Sequence, residues 1–153
     1  MAKLIATRGA QRIMVAEFVF NYNDTAVDSV SGTEKTFGST QTDALVLDAI
    51  KLPKGAVICG GEHIVETPYT GTTASTTSVG IAGSTTALAN AVSNMAAAGT
   101  RTALTLTTTG FLSNTGTDIR LTLAHTVANA TAGKVRVRVW FTLDNRLDEV
   151  FPN

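Results

Sequence analysis

The chain has 153 residues, which suits one domain with a sizeable buried core. Twelve Lys and Arg balance twelve Asp and Glu, and this zero net charge argues against a dedicated nucleic-acid binder or a membrane-surface protein. The chain is weakly charged and contains 26 threonines, a residue whose β-branched side chain favours extended structure.

Residues 1–12 form a basic N-terminal segment. Lys3, Arg8 and Arg12 interrupt it before an apolar run of signal-peptide length, so we expect no secretion signal. No stretch of the sequence reaches the roughly 18 apolar residues of a membrane span. The single cysteine, Cys59, cannot form an internal disulfide. We therefore expect a protein made in a reducing cytoplasm, with residues 1–12 as an extended arm.

Two strands separated by a loop are predicted first. Along residues 13–22 every second side chain falls on one face. These side chains are Met14, Ala16, Phe18, Phe20 and Tyr22. Residues 23–41 are rich in Asp, Thr, Ser and Gly, which predicts a long loop or a weak hairpin. Residues 44–52 have a Leu-Val-Leu centre and stop at Pro53, which predicts a short, largely buried strand.

A turn and two further strands follow. Pro53-Lys54-Gly55 has the composition of a turn. Residues 56–67 predict a strand, in which the Gly60-Gly61 pair indicates a bulge or bend. Residues 78–82 predict another short strand with Val79 at its centre.

Residues 86–98 are the best helix-forming stretch of the chain. They are rich in alanine, and Gly99 is a plausible helix stop. Leu88, Val92 and Met95 have the spacing of one helix face. The alternative is an alanine-rich irregular crossover. Both interpretations stay open, so we expect at most one short helix.

Strands resume after residue 100. Residues 101–109 predict a strand with Leu104 and Leu106 facing inward, and a turn follows at 114–116. Residues 118–127 predict a strand with four side chains on one face. These are Leu121, Leu123, His125 and Val127. The Thr131-Ala132-Gly133 tripeptide predicts a hairpin turn.

The last predicted strand, residues 134–143, has the clearest alternation in the chain. The side chains expected to face the core are Val135, Val137, Val139, Phe141 and Leu143. The side chains expected to face outward are Lys134, Arg136, Arg138, Trp140 and Thr142. The outward set is typical of the solvated face of an edge strand. It also suits a contact face, because Arg and Trp are enriched at interface hot spots.

Seven or eight short strands predict an all-β, jelly-roll-like β-sandwich as a single domain over residues 13–153. Between Thr67 and Thr117 the only charged residue is Arg101. An uncharged surface of this length suits a region that a partner covers. The alternative is a set of polar, uncharged loops.

Candidate catalytic and metal-binding residues are few. Glu62 and Glu66 share a strand face and His63 points the other way, so these residues do not converge on a metal, and we expect no metal and no cofactor. The two glutamates are the candidates for glycoside chemistry, although this spacing on a strand is typical of a solvated face. Cys59 lies in a predicted buried strand, too far from His63 for a nucleophile and base on regular β-structure. We therefore expect no enzyme.

Several motifs resemble those of small jelly-roll structural proteins of tailed-phage heads, often cement or decoration proteins. They are LPKGAVI at 52–58, GGEHIVET at 60–67, SVG at 78–80 and TAGKVRV at 131–137. The resemblance covers residues 52–143. It implies a non-enzymatic protein that sits outside the capsid shell, bridges neighbouring major capsid subunits and is a homodimer or homotrimer. Such a protein is made in the host cytoplasm and is found on the virion exterior.

We expect the partner contacts of such a protein at two places. One is the arm, through Lys3, Arg8 and Arg12. The other is the outward face of the last strand, through Lys134, Arg136, Arg138 and Trp140. A nucleic-acid partner is the weaker interpretation of that face, because the net charge is zero. The alternative function is a phage fibre or receptor-binding module that binds glycan through exposed aromatics. The aromatic candidates are Tyr22, Phe37, Tyr69 and Trp140.

Overall fold

The computed structural model describes residues 12–40, 43–105 and 118–143, and all regular structure in these ranges is β-strand. The ten strands, in chain order, are β1 (Met14–Asn21), β2 (Thr25–Val27), β3 (Glu34–Thr36), β4 (Leu45–Lys51), β5 (Ala56–Thr70), β6 (Ala74–Ile81), β7 (Ser84–Ser93), β8 (Arg101–Leu104), β9 (Asp118–Thr126) and β10 (Ala132–Leu143). The prediction of an all-β chain is confirmed.

Eight of these strands form two four-stranded antiparallel sheets. The first sheet has the order β1-β10-β5-β8 and the second has the order β4-β9-β6-β7. With the small β2–β3 pair set aside, the chain passes from one sheet to the other at every connection except β6–β7. This is the strand arrangement of a jelly roll, so the predicted jelly-roll-like sandwich is confirmed.

One continuous hydrophobic core lies between the two sheets. It is built by side chains that alternate inward along each strand. Its members with almost no exposed surface include Phe20, Leu45, Ile58, Tyr69, Val79, Leu88, Ile119, Leu121, Leu123, Val135, Val137 and Val139. The inward face predicted for residues 134–143 is confirmed, because strict alternation places three successive valines of β10 in the core.

Strand β10 lies inside the first sheet. It pairs with β1 on one side and with β5 on the other, so the interpretation of residues 134–143 as an edge strand is wrong. Met14 is paired with Phe141, which places the start of β1 beside the end of β10. The register with β5 shifts next to Trp140, opposite Gly60, and this bulge confirms the bend predicted at the glycine pair.

The β2–β3 pair confirms the weak hairpin as the correct alternative for residues 23–41. Asp28, between the two strands, is only 1% exposed. Its carboxylate accepts hydrogen bonds from the main-chain N–H groups of Val30, Ser31 and Val46 and from the Lys35 ammonium, 2.9 Å away. Burial alone raises the pKa of Asp28, but these hydrogen bonds outweigh it and lower the pKa far below its usual range. Because Val46 belongs to β4, the carboxylate ties the hairpin to the second sheet.

Residues 86–98 form neither the helix nor the irregular crossover that the sequence left open. Most of the segment belongs to β7, which pairs with β6 and includes the register partners Ala89 and Val79. Leu88 is fully buried between the sheets, whereas Met95 lies after the strand and is exposed. Main-chain pairing with β6 and burial of Leu88 outweigh the intrinsic helix preference of alanine, which amounts to tenths of a kcal/mol per residue.

Two further expectations are corrected in the second half of the chain. Val127 does not face inward: β9 ends at Thr126, and Val127 is 82% exposed. The 131–133 tripeptide is not a hairpin turn, because β9 and β10 belong to different sheets and the connection crosses between them. Leu104 is buried as predicted. Leu106 and the turn predicted at 114–116 lie outside the described residues.

Candidate interaction surface

A network of charged side chains covers the outer face of the first sheet. It spans all four strands, with one carboxylate from β1, three cations from β10, two carboxylates from β5 and one cation from β8. We call this network the charge ladder; its members are Glu17, Lys134, Arg136, Arg138, Glu62, Glu66 and Arg101. Side chains from strands far apart in sequence meet here because alternate residues of adjacent strands point to the same face.

The β1 side of the charge ladder is formed by one carboxylate held between two arginines. Oε1 of Glu17 accepts from Arg136 Nη1 at 2.8 Å, and Oε2 accepts from Arg138 Nε at 3.1 Å. Hydrogen bonds from Arg136 and Arg138 lower the pKa of Glu17 below its ordinary value. Glu17 is therefore ionised at neutral pH and neutralises part of the β10 charge.

The β5 side repeats this arrangement. Arg101 Nη1 donates to both oxygens of Glu62 at 2.9 Å, and Arg138 Nη1 donates to Glu62 at 3.3 Å. Lys134 Nζ lies 2.8 Å from Glu66, which also accepts from Arg136 Nε. Hydrogen bonds from Lys134 and then Arg136 lower the pKa of Glu66, and the bond to Glu66 raises the pKa of Arg136. Three carboxylates thus offset three of the four cations.

Ile64 lies within the charge ladder, on the same side of the sheet as Glu62 and Glu66. It is 6% exposed but does not belong to the core between the sheets. Its register partners are Arg136 on β10 and Arg101 on β8, whose long aliphatic stems flank it. The outer face is therefore a packed layer, and its charged groups are held in fixed positions.

One end of this outer face is apolar. Val15 on β1 is 57% exposed and lies directly opposite Trp140, which is 37% exposed. The Trp140 ring lies over Gly60, since a Cβ there would be 3.4 Å from the ring. Ile13, just before β1, is also exposed. We call Ile13, Val15 and Trp140 the apolar patch.

Some of the predicted contact residues lie where we expected them, and others lie outside the described residues. Alternation correctly put Lys134, Arg136, Arg138 and Trp140 on one outward face. The three cations are not free, however, because each is paired with a glutamate of the same chain. Arg12 is exposed, whereas Lys3 and Arg8 lie outside the described residues. A partner role for these seven residues stays a prediction.

Sequence reasoning missed two members of the charge ladder. Alternation places Glu17 on the face of β1 opposite Phe18 and Phe20 without singling it out, and Arg101 stands out in the sequence only as an isolated charge. Their meeting depends on the strand order β1-β10-β5-β8, which alternation within a single strand does not reveal. The signal available in the sequence was the charge pattern itself, with glutamates on β1 and β5 matching the cations of β10.

The described part of the uncharged stretch 67–117, residues 67–105, includes one edge of the sandwich. This part contains β6, β7 and β8. Strand β7 is the last strand of the second sheet and β8 is the last strand of the first, and Thr105 N–H donates to the Leu88 carbonyl to link the two sheets there. One edge of the molecule is thus uncharged except for Arg101, and the charge ladder covers an adjoining face.

The candidate catalytic groups do not form a site in the described part of the chain. Cys59 is exposed, not buried as expected, because the bulge at Gly60 turns it outward, whereas His63 is fully buried. Glu62 and Glu66 are both engaged with cations. His125 is buried and stacks on Tyr69 with ring centroids 5.3 Å apart, and burial lowers the pKa of this histidine. No group of three or more metal-ligating side chains occurs among the described residues.

Two of the four aromatics considered for glycan binding are in the core. Phe37 is stacked on Phe20 at 5.0 Å, and Tyr69 is covered by His125, so their predicted exposure is wrong. Tyr22 is half-buried against the core. Trp140 thus remains the most accessible of the four. Within the described ranges, no helix is long and apolar enough to cross a membrane.

Comparison with known proteins identifies the fold. No protein-family model and no curated protein match the sequence. A chain of the cyanophage Pam1 capsid asymmetric unit is 24% identical, with a TM-score of 0.65, over 93% of this chain and 94% of that chain. A chain of the acid-stable capsid of Helicobacter pylori bacteriophage KHP30 is 16% identical, with a TM-score of 0.57, over 86% and 87%. Nearly equal shares of both chains are covered, so the matched chains are about as long as this one. The structural neighbours are components of phage capsids.

Proposed function

We propose that this chain is a structural protein of a phage virion, and that it acts as a cement or decoration protein on the capsid exterior. The observation that carries this proposal is the match of nearly the whole chain to equally long chains in two phage capsids. In this role the protein binds neighbouring major capsid subunits and bridges them. It is synthesised in the host cytoplasm before it joins the virion.

The proposed mechanism is thermodynamic. A protein that binds only the assembled shell stabilises that shell by mass action. Each copy that contacts two subunits binds more tightly than a single contact allows, because the second contact forms at high effective concentration. A rigid sandwich suits this role, since little conformational freedom is lost when a preformed surface binds. The fixed ion pairs of the charge ladder support such rigidity.

Two surfaces are the candidates for these contacts. The uncharged edge formed by β7 and β8 suits contacts between copies in a homodimer or homotrimer, because it carries almost no charge to keep copies apart. The apolar patch and the neighbouring charge ladder suit contact with the major capsid protein. Arg and Trp are enriched at binding hot spots, and both occur there. The arm, with Lys3, Arg8 and Arg12, is proposed to lie on a neighbouring subunit.

We also propose that the protein has no catalytic activity. Glu62 and Glu66 are each ion-paired with two cations of the same chain, so neither carboxylate is free to act on a substrate as glycoside hydrolysis requires. If Glu62→Gln abolished a measured hydrolytic activity, this part of the proposal would be wrong.

Glycan binding by a fibre or receptor-binding module is the second candidate function. The observation that favours it is the half-exposed Trp140 ring, since sugars stack on exposed aromatic rings. A glycan array probed with the wild-type protein and with Trp140→Ala tests it. Binding that disappears in the variant would support this alternative over the cement function.

The first experiment measures the molar mass in solution and then co-sedimentation with empty shells of the same phage's major capsid protein. We expect a dimer or trimer that pellets at a saturable stoichiometry.

Trp140→Ala should weaken pelleting, while the matched control Thr76→Ala, on the outer face of the second sheet, should not. Deletion of residues 2–10 should also weaken pelleting and leave the fold intact by circular dichroism. A monomer that stays in the supernatant contradicts the proposal.

A further inference from the structure

A buried polar cluster connects the two sheets. Nε2 of His63 on β5 lies 2.9 Å from Oδ1 of Asn94, the residue that follows β7. Thr77 on β6 donates to the same oxygen at 2.8 Å, and Asn94 Nδ2 donates to Ser75 at 2.9 Å. All four residues are at most 1% exposed. Since Asn94 Oδ1 accepts, Nε2 of neutral His63 carries the proton, and its Nδ1 finds no partner on another described residue.

Asn94 begins a short uncharged segment, residues 94–100, which we call the latch. Three main-chain hydrogen bonds hold the latch on β5. Tyr69 N–H donates to the Asn94 carbonyl at 3.0 Å, Gly99 N–H to the Val65 carbonyl at 2.7 Å, and Val65 N–H to the Thr100 carbonyl at 3.0 Å. Most side chains of the latch are exposed or half-buried, so few apolar contacts add to these bonds. The side chain of Asn94 is its buried anchor.

Among the described residues, no carboxylate lies on the core side of His63. Its register partners are Val137 on β10 and Thr102 on β8, both uncharged. The charged residues of β5, β8 and β10 near it face the opposite side of the sheet, in the charge ladder. Tyr69 and His125 are the other titratable side chains buried in this part of the described core, and burial raises the pKa of Tyr69 above its ordinary value. Burial lowers the pKa of His63, and the Asn94 hydrogen bond offsets this only in part.

We propose that the latch is an acid-released element: protonation of His63 at Nδ1 detaches residues 94–100 from β5 while both sheets stay folded. An imidazolium in this position is buried away from water and its Nδ1–H reaches only the main chain of His63 itself, which is costly in an apolar interior. Release of the latch admits water to His63 and breaks few bonds, so local opening costs less than global unfolding. The pKa of His63 is lower in the folded protein than in the unfolded chain, where it is about 6.5. The closed latch is therefore fully stable above about pH 6.5 and loses stability as the pH falls.

Amide hydrogen exchange of the intact protein, followed by NMR at pH 7.5 and 5.5 and corrected for intrinsic rates, tests the proposal. We expect protection at Val65, Tyr69 and Gly99 to fall at least about tenfold at the lower pH, and to fall by more than protection of the β10 amides, which reports global unfolding. In His63→Gln the amide still donates to Asn94 but does not titrate, so protection should not depend on pH. The matched control His125→Gln should retain the tenfold fall.

Three outcomes overturn the proposal. The first is a wild-type latch whose protection does not change between the two pH values. The second is an equal fall in wild type and His63→Gln, and the third is the loss of the effect in His125→Gln. Should His63→Gln fail to fold, NMR titration of the His63 ring in the wild type decides the matter. The midpoint of this titration must coincide with the midpoint of the protection loss at Gly99. Separate midpoints would show that His63 does not control the latch.

Discussion

Asp28 stabilises the fold through hydrogen bonds that an amide cannot replace. In Asp28→Asn one acceptor oxygen becomes an NH₂ group. If it replaces Oδ2, the Lys35 ammonium and Val46 N–H both lose their acceptor, and if it replaces Oδ1, Val30 N–H and Ser31 N–H do. We expect the free energy of unfolding to fall by about 2 kcal/mol, the typical scale for hydrogen bonds to a charged group. Urea denaturation at pH 7 measures this change.

The matched control for Asp28 is Glu34→Gln. Glu34 is exposed and accepts one hydrogen bond from the Thr25 hydroxyl, which a glutamine oxygen can also accept. This change should alter the free energy of unfolding by less than about 0.5 kcal/mol, as is usual at the surface. Equal effects of the two substitutions would mean that the Asp28 carboxylate has no special role in the fold.

The sequence predicted the direction of individual side chains wherever a strand was regular. Strict alternation was enough to place Val135, Val137 and Val139 in the core, because successive side chains of a strand point to opposite faces. The burial expected of Cys59 rested on its apolar strand, and it is wrong because Cys59 is the extra residue of the bulge opposite Trp140 and Phe141 and faces outward. The glycine pair indicated that a bulge was present, but not which neighbouring side chain it would turn outward.

At the scale of elements, strand existence was easier to predict than strand pairing. Most strands were visible as alternating or apolar runs bounded by turns, since that pattern is local in the sequence. Strand β7 was missed because its partner, β6, supplies the stabilisation that its alanine-rich sequence lacks. The charge ladder was missed for the same reason, because it requires the neighbour relations of four strands spread from Glu17 to Arg138.

The charge ladder should behave as a coupled set of ion pairs. In a double-mutant cycle of Arg138→Met and Glu62→Gln, we expect a coupling of about 0.5–1 kcal/mol at low salt, the range of well-formed surface pairs. The coupling should shrink in 1 M NaCl, where the screening length is about 3 Å. Lys54→Met, an exposed lysine outside the ladder, is the control and should show no coupling to Glu62→Gln. A salt-independent coupling would contradict an electrostatic origin.

For the whole molecule, stability should fall in two steps on acidification. His63 and His125 have lowered pKa values in the fold, so the unfolded chain binds more protons and stability decreases from about pH 6.5 downward. Glu17, Asp48 and Glu66 also have lowered pKa values, so their contribution is complete above about pH 4.5 and is lost as the pH falls further.

Urea midpoints measured from pH 8 to pH 3 test this two-step decrease. The wild-type midpoint should be constant down to about pH 6.5, decline, and decline again below about pH 4.5. The double variant His63→Gln, His125→Gln should lack the first decline and keep the second. If the variant and the wild type followed the same curve, the buried histidines would not be the source of the first step.

The central position of β10 has a consequence for how the chain is synthesised. Strand β1 leaves the ribosome first, but its partner in the first sheet is the last strand of the described chain, and that strand is also the bridge from β1 to β5. Until β10 emerges, β1 has no strand partner and one side of β5 is open, so the nascent chain exposes unpaired strand edges during most of translation. The first sheet therefore cannot form completely until strands far apart in the sequence come into contact. We expect this requirement to make folding slow and largely post-translational.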